Sequence, residues 1–176
     1  MVLNMGNEKD IKNQLVEKFS LVAHPEGGFF RETYRCRETI TRAALGTQRS
    51  ASTAIYYLLC DGAYSAWHRI RSDEIWHFYA GSPLDVHVLE PGRRRTTHRL
   101  GNAIERSDTV FQAVVPAGAW FAAECIDPQG YALAGCTVAP GFEFSEFELA
   151  ETAALLAQYA DEAELIQRLG RHSAKA

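Results

Sequence analysis

The sequence predicts a mainly β fold, a sandwich or barrel of short strands with helices at its two ends. Two observations carry that reading. Between residues 29 and 141, runs rich in β-branched and aromatic residues alternate with turn signals at close, regular intervals. At both ends the apolar residues instead recur three and four apart, which is the helical period. The chain has 176 residues, 47% of them hydrophobic, enough to fill one core. No repeat or linker divides it, so a single domain over residues 1–176 is expected.

The elements follow in order. Residues 8–20 form an amphipathic helix, with Ile11, Leu15, Val16 and Phe19 on one side and Glu8, Lys9, Asp10, Lys12 and Glu17 on the other. His24, Pro25, Glu26, Gly27 and Gly28 break it. A β body over 22–145 then carries strands at FFRETYR, STAIYYLL, SAWHRI, EIWHFYAG, LDVHVLEPG, TTHRLG, FQAVVPAG, AWFAAEC and YALAGCTV. Helical text resumes over 146–169, where Leu149, Ala153, Leu156, Leu165 and Leu169 mark an apolar face and Asp161 caps a second helix.

The net charge of −4 argues against a nucleic-acid surface, which would be basic. The one basic cluster, Arg93, Arg94 and Arg95, reads as a solvated hairpin tip. Charges run through the first twenty residues, so no signal peptide is read, and no apolar run is long enough to span a bilayer. Cys36, Cys60, Cys125 and Cys136 have no CxxC spacing, so reduced thiols and a cytoplasmic setting are expected. His87 and His98 read as surface positions, and His172 as part of a loose tail.

The most informative stretch is GAYSAWHRIRSDEIWHFYAG, residues 62–81. A strand–turn–strand unit bounded by glycines would aim His68 and Glu74 at one spot. Burying an unpaired carboxylate is costly, so such a pair suits a site that binds a metal or moves a proton. On alternating strands His68 shares a face with Ala66 and Ile70, and Glu74 with Trp76 and Phe78. Trp76 would then give the cavity an aromatic wall, while His77 faces away.

This segment resembles the first cupin motif, G-x5-H-x-H-x3,4-E-x6-G. Gly62, His68, Glu74 and Gly81 match it, and Ile70 stands where the second histidine belongs. VFQAVVPAGAWFAAE resembles the second motif: Pro116 and Gly118 match, while Val110, Phe121 and Cys125 replace its glycine, histidine and asparagine. HPEGGFFRETYR, STAIYYLL, WHRIRSDEIWHFYAG and GCTVAPGFEFSEFEL are similar to the small branch known as cupin family five, over residues 11–158. The resemblance implies a cupin-type jelly-roll (double-stranded β-helix) barrel, a homodimer, and a ligand pocket in the barrel mouth. It also implies kinship of fold with dTDP-sugar 3,5-epimerases and seed-storage cupins.

The expected pocket is lined by His68, Glu74, Tyr57, Trp76 and Phe121, with Glu26 and Arg31 at its edge. The leading expectation is a small-molecule-binding cupin, epimerase- or isomerase-like, acting on a sugar nucleotide or keto metabolite. His68 would be the base and Glu74 its orienting partner. Tyr57 or Tyr79 would be the acid, and Arg31, Arg35 or Arg69 the cation for an enediolate. Two alternatives stand beside it. One is a metal-dependent cupin oxygenase or isomerase, with His68 and Glu74 as ligands of a divalent metal and a third ligand from Glu26, Tyr57 or His77. The other is a metabolite-binding module without turnover.

Overall fold

The computed structural model describes residues 8–43, 46–92 and 94–171, and no side chain of residues 8–10. Arg93 and His172 lie outside the described residues. Helix α1, Glu8–Phe19, leads into β1, Val22–Ala23, and β2, Phe29–Arg35. A small hairpin follows, β3 Thr39–Arg42 and β4 Thr47–Ser50. The body continues as β5 Thr53–Cys60, β6 Tyr64–Arg69, β7 Asp73–Gly81, β8 Leu84–Leu89, β9 Thr96–Leu100, β10 Gln112–Val115, β11 Trp120–Cys125 and β12 Tyr131–Ala139. A 3₁₀ turn over Phe144–Glu146, strand β13 Glu148–Leu149, helix α2 Thr152–Gln158 and helix α3 Ala163–Arg168 complete the chain.

The strands form two antiparallel sheets. One has six strands in the order β1-β2-β5-β12-β7-β10, the other five in the order β13-β6-β11-β8-β9. Alternate side chains fill the space between them. Tyr57 and Leu59 of β5, Trp76 of β7, Val86 and Val88 of β8 and Phe121 of β11 belong to one buried cluster.

The intervening residues point outward, yet many are also buried. Leu58, Cys60 and Leu133 lie under α1, packed with Leu15, Val16 and Phe19. Trp67, Leu89, Trp120 and Ala122 lie under α2 and α3, packed with Leu155, Ile166 and Leu169. Helices therefore cover part of the outer face of each sheet, and strands such as TAIYYLLC read as continuous apolar runs rather than as alternation.

Three expectations need correction. The tail does not become helical at 146: a 3₁₀ turn and β13 come first, and Leu149 pairs with His68. Helix α2 starts only where the Glu151 carboxylate accepts from the backbone N–H of Ala153 and Ala154, at 3.3 and 2.7 Å. Asp161 is not a helix cap. It sits inside a 3₁₀ turn, Ala160–Glu162, and the neighbouring Glu162 carboxylate accepts from Arg95 Nε at 2.8 Å. His87 is not a surface residue. It is buried on the outward face of β8, 3.0 Å from Glu124 Oε1 and 3.0 Å from Thr97 Oγ1. The α3 residue Arg168 closes over the same Glu124.

The β3–β4 hairpin was not expected, because TITR and TQRS are polar and mostly unburied. Its anchorage is ionic: Arg42 and Arg49 converge on Glu146 at 3.2 and 3.0 Å. The four cysteines are free. Among the described residues no helix is long and apolar enough to cross a membrane.

The covering of the five-stranded sheet is testable. Ile166 is fully buried between α3 and that sheet. Ile166→Ala should cost about 2–4 kcal/mol in urea unfolding through the lost transfer energy and the cavity left behind. An unchanged midpoint would show that α3 is not docked.

Candidate functional site

Both glycines of the turn after β1 have positive φ, +117° at Gly27 and +68° at Gly28. A Cβ on Gly27 would stand 2.1 Å from the Tyr64 carbonyl oxygen, so the turn lies directly against β6. Three bonds hold it there. Ala66 N–H donates to the Glu26 carbonyl at 2.9 Å, Tyr57 Oη donates to the Gly27 carbonyl at 2.7 Å, and Ser65 Oγ donates to Glu26 Oε1 at 2.9 Å. The Glu26 side chain is thereby carried into the interior.

It meets His68 there. Glu26 Oε2 lies 3.1 Å from His68 Nε2, and both residues are more than nine-tenths buried. The other ring nitrogen, Nδ1, is 2.8 Å from the Ala66 carbonyl oxygen. A carbonyl only accepts, so Nδ1 carries a hydrogen, and this network assigns the tautomer. In the neutral ring Nε2 then has a lone pair, and its contact with a carboxyl group needs one shared proton. Burial draws His68 down to about 4 and pushes Glu26 up, partly countered by His24, Ser65 and Tyr57. Both directions favour the uncharged pair, with the proton on Glu26. Behind the imidazole the Phe121 ring packs at 3.9 Å between centroids.

Glu74, on β7, lines the same cavity. Burial, the largest cause, pushes its carboxyl up to about 8. Its polar neighbours are the Cys136 thiol, a weak donor, and the Trp76 indole, whose buried Nε1 has no hydrogen-bond partner. The cavity has about 90 Å³ of room. Buried groups form its floor: Glu26, Tyr57, His68, Glu74 and Cys136. At the mouth stand Phe142, Phe144 and the Glu32–Arg35–Glu143 cluster.

The structure thus brings His68, Glu74, Glu26 and Tyr57 to one cavity. The carboxylate bonded to His68 is Glu26 rather than Glu74. Trp76 shares the Glu74 face but lies deeper, behind the Tyr57 ring at 5.6 Å in an edge-on contact. Phe121 backs His68 instead of lining the cavity. Arg31 is exposed and outside the cavity, because Phe30 and Glu32 take the inward positions of β2. A bulge between Glu32 and Tyr34 then shifts the alternation and brings Arg35 to the inward side. Arg69 pairs with Glu148 and lies over the Trp120 ring, outside the cavity. Tyr79 is exposed, and His77 hydrogen-bonds Thr137 and Gln112 on the outward face. Among the lining residues that sequence reasoning missed are His24, Phe30, Glu32, Cys136, Phe142, Glu143, Phe144 and Phe147. His24 and the residues between 142 and 147 sit outside the strands, where no alternation marks a face.

The donor set does not suit the metal that cupin motifs usually hold. Ile70 and Phe121 replace two of its histidines, and Nε2 of His68 is turned to Glu26. Among the described residues, no group of three or more His, Cys, Asp or Glu side chains is placed to hold a metal ion.

Comparison with known proteins agrees with the architecture. The family model described as Cupin superfamily (DUF985) matches residues 13–150. An uncharacterized protein of Saccharomyces cerevisiae is 27% identical over 146 residues, 76% of this chain and 72% of the yeast protein. A solved structure from Shewanella oneidensis has a TM-score of 0.82 at 34% identity, covering 92% of this chain and 98% of that one. Oxalate decarboxylase of Bacillus subtilis has a TM-score of 0.53 at 14% identity, over 88% of this chain and 40% of that one, a likeness of fold alone. The two-sheet body is a cupin jelly-roll.

Two outcomes follow from this geometry. The folded Glu74 titrates about 8 and the unfolded one at 4.5, so the folded state holds the extra proton between these values. Stability from this group is complete below 4.5 and is lost as pH rises through 8. His68 acts oppositely, but only between about 4 and 6.5. From pH 6.5 to 8, stability should therefore fall, by about 1.4 kcal/mol per pH unit for each proton retained. Urea unfolding across that window should show a shallower slope in Glu74→Gln; an equal slope would show that Glu74 is ionised. Separately, Gly27→Ala should displace the turn, and the NMR signals of His68 should move; unmoved signals would mean Glu26 is not placed by this turn.

Proposed function

We propose that this chain, which belongs to the cupin superfamily (DUF985), binds a small carbonyl compound in its barrel mouth and moves a proton on it without a metal. The observation that carries the proposal is the 3.1 Å contact between His68 and Glu26 inside a cavity that also holds Glu74. A carboxyl near 8 is tuned for general acid–base work close to neutral pH. The ionised fraction of Glu74 takes the proton next to the carbonyl. The Glu26–His68 pair gives its proton to the developing enediolate oxygen. Return of a proton to carbon completes an isomerisation or epimerisation, and the site regains its starting protonation.

The size of the cavity bears on the substrate. At about 10–15 Å³ for each water-sized occupant, 90 Å³ holds a handful of heavy atoms. A keto metabolite fits that room and a whole sugar nucleotide does not. One observation favours a second reading, a binding module without turnover: both ring nitrogens of His68 are already engaged. We carry a homodimer and a cytoplasmic setting as further proposals, the first supported by the family resemblance and the second by the four free cysteines; light scattering on purified protein tests the first.

Solvent exchange tests the chemistry. In D2O, NMR should show deuterium entering the carbon next to the carbonyl in at least one of hydroxyacetone, pyruvate and aminoacetone. The rate should rise with pH as Glu74 ionises towards 8. Glu74→Gln and His68→Gln should each lower it about 10²–10⁴-fold. Binding with no exchange in any of the three would favour the module without turnover.

A further inference from the structure

The charge and the walls of the cavity select the ligand further, resting on the reading that this cavity is the ligand site. Among the described residues Arg35 is the cation that lines it, and its charge is already taken. Nε and Nη2 of Arg35 grip both oxygens of Glu32 at 2.9 and 2.8 Å, Nη1 holds Glu143 at 2.7 Å, and Nη2 also reaches the Phe142 carbonyl at 3.1 Å. Two carboxylates share one guanidinium, so the cluster that lines the cavity keeps a surplus negative charge, while Arg42 and Arg49, paired with Glu146, lie outside the lining. His24 and His68 supply no positive charge at neutral pH, because burial lowers both. An anionic ligand would find no counter-charge here.

The walls supply what a cation needs. Phe142, Phe144 and Phe147 stand 5.0–6.2 Å apart between centroids around the mouth, and Phe30 joins them across the His24 ring. The faces of such rings attract a desolvated ammonium. Deeper, Glu74 is 7% exposed and has only a thiol and an unbonded indole beside it. It can take the polar end of a ligand.

We infer that the pocket selects a small organic cation, an alkylammonium head seated against the phenyl rings at the mouth with its uncharged polar end reaching Glu74. Under the proposed chemistry the substrate is then an amino ketone rather than a keto acid. The surplus carboxylate of the Glu32–Arg35–Glu143 cluster and the rings act together on the head. The buried pair and Glu74 act on the other end.

Calorimetric titration with choline, its neutral isostere 3,3-dimethylbutan-1-ol, and pyruvate tests this on the full chain. Choline and the isostere differ only in charge, and neither can undergo the proposed proton transfer, so the result is independent of turnover. Choline should bind about ten-fold more tightly than the isostere, and pyruvate more weakly than either. Phe144→Leu removes a half-exposed ring face, and Glu143→Gln removes the surplus charge; neither belongs to the proton-transfer machinery. Each should weaken choline about five-fold and leave the isostere within about two-fold. Equal or tighter binding of the isostere or of pyruvate, or no binding of choline, would overturn the inference. Deuterium exchange into hydroxyacetone or pyruvate would still report on the proposed chemistry alone.

Discussion

One hydrogen bond organises the interior of this protein: a single proton held between Glu26 and His68. Two buried ionisable groups have two ways to avoid an unpaired charge. They can ionise as a pair, or both can stay neutral. Pairing in a low-dielectric interior recovers the desolvation cost only with excellent geometry and further hydrogen bonds. Here His68 gives its other hydrogen to the neutral Ala66 carbonyl, and Glu26 receives one hydroxyl bond, from Ser65. Burial also lowers His24, 3.6 Å from Glu26 Oε2, so that ring favours the carboxylate only weakly. The neutral arrangement wins, and the same balance keeps Glu74 protonated on the opposite wall.

The fold supplies that balance by burying the pair. Two sheets close the core between them, and helices cover part of the outer face of each. The mouth of the cavity is rimmed by the segment that carries Phe142, Phe144 and Phe147. That segment is tied down by ion pairs rather than by sheet bonding: Arg35 holds Glu143, while Arg42 and Arg49 hold Glu146. These pairs are more exposed than the floor, so they resemble a polar collar around an apolar, nearly neutral interior. A ligand therefore meets charge at the entrance and neutral acids at depth.

Much of this was legible in the sequence, and the limits have physical causes. Most strands of the two sheets announce themselves because their residues pack on one or two buried faces, which concentrates Val, Leu, Tyr and Trp in short runs. The β3–β4 hairpin does not, because its strands are polar and pack through arginines. His68 and Glu74 were visible from motif spacing, and both line the cavity. Their pairing was not, because the carboxylate that bonds His68 comes from the turn at Gly27 and Gly28, whose approach to β6 is a long-range event. The choice between Arg31 and Arg35 turned on a bulge that no alternation pattern shows. His87 was misread because the burial of an outward face depends on α3, far away in the chain.

The measurement closest to the central claim is the protonation of the His68 ring. Long-range ¹H–¹⁵N correlation spectra, assigned through His68→Gln and collected from pH 5 to 9, report both ring nitrogens. A neutral ring throughout, with hydrogen on Nδ1 and Nε2 accepting, is the predicted result, and Glu26→Gln should shift the Nε2 signal while leaving that of Nδ1 in place. A ring that gains its second proton near 6.5 would contradict the account, because His68 would then be an ordinary imidazolium facing a Glu26 carboxylate.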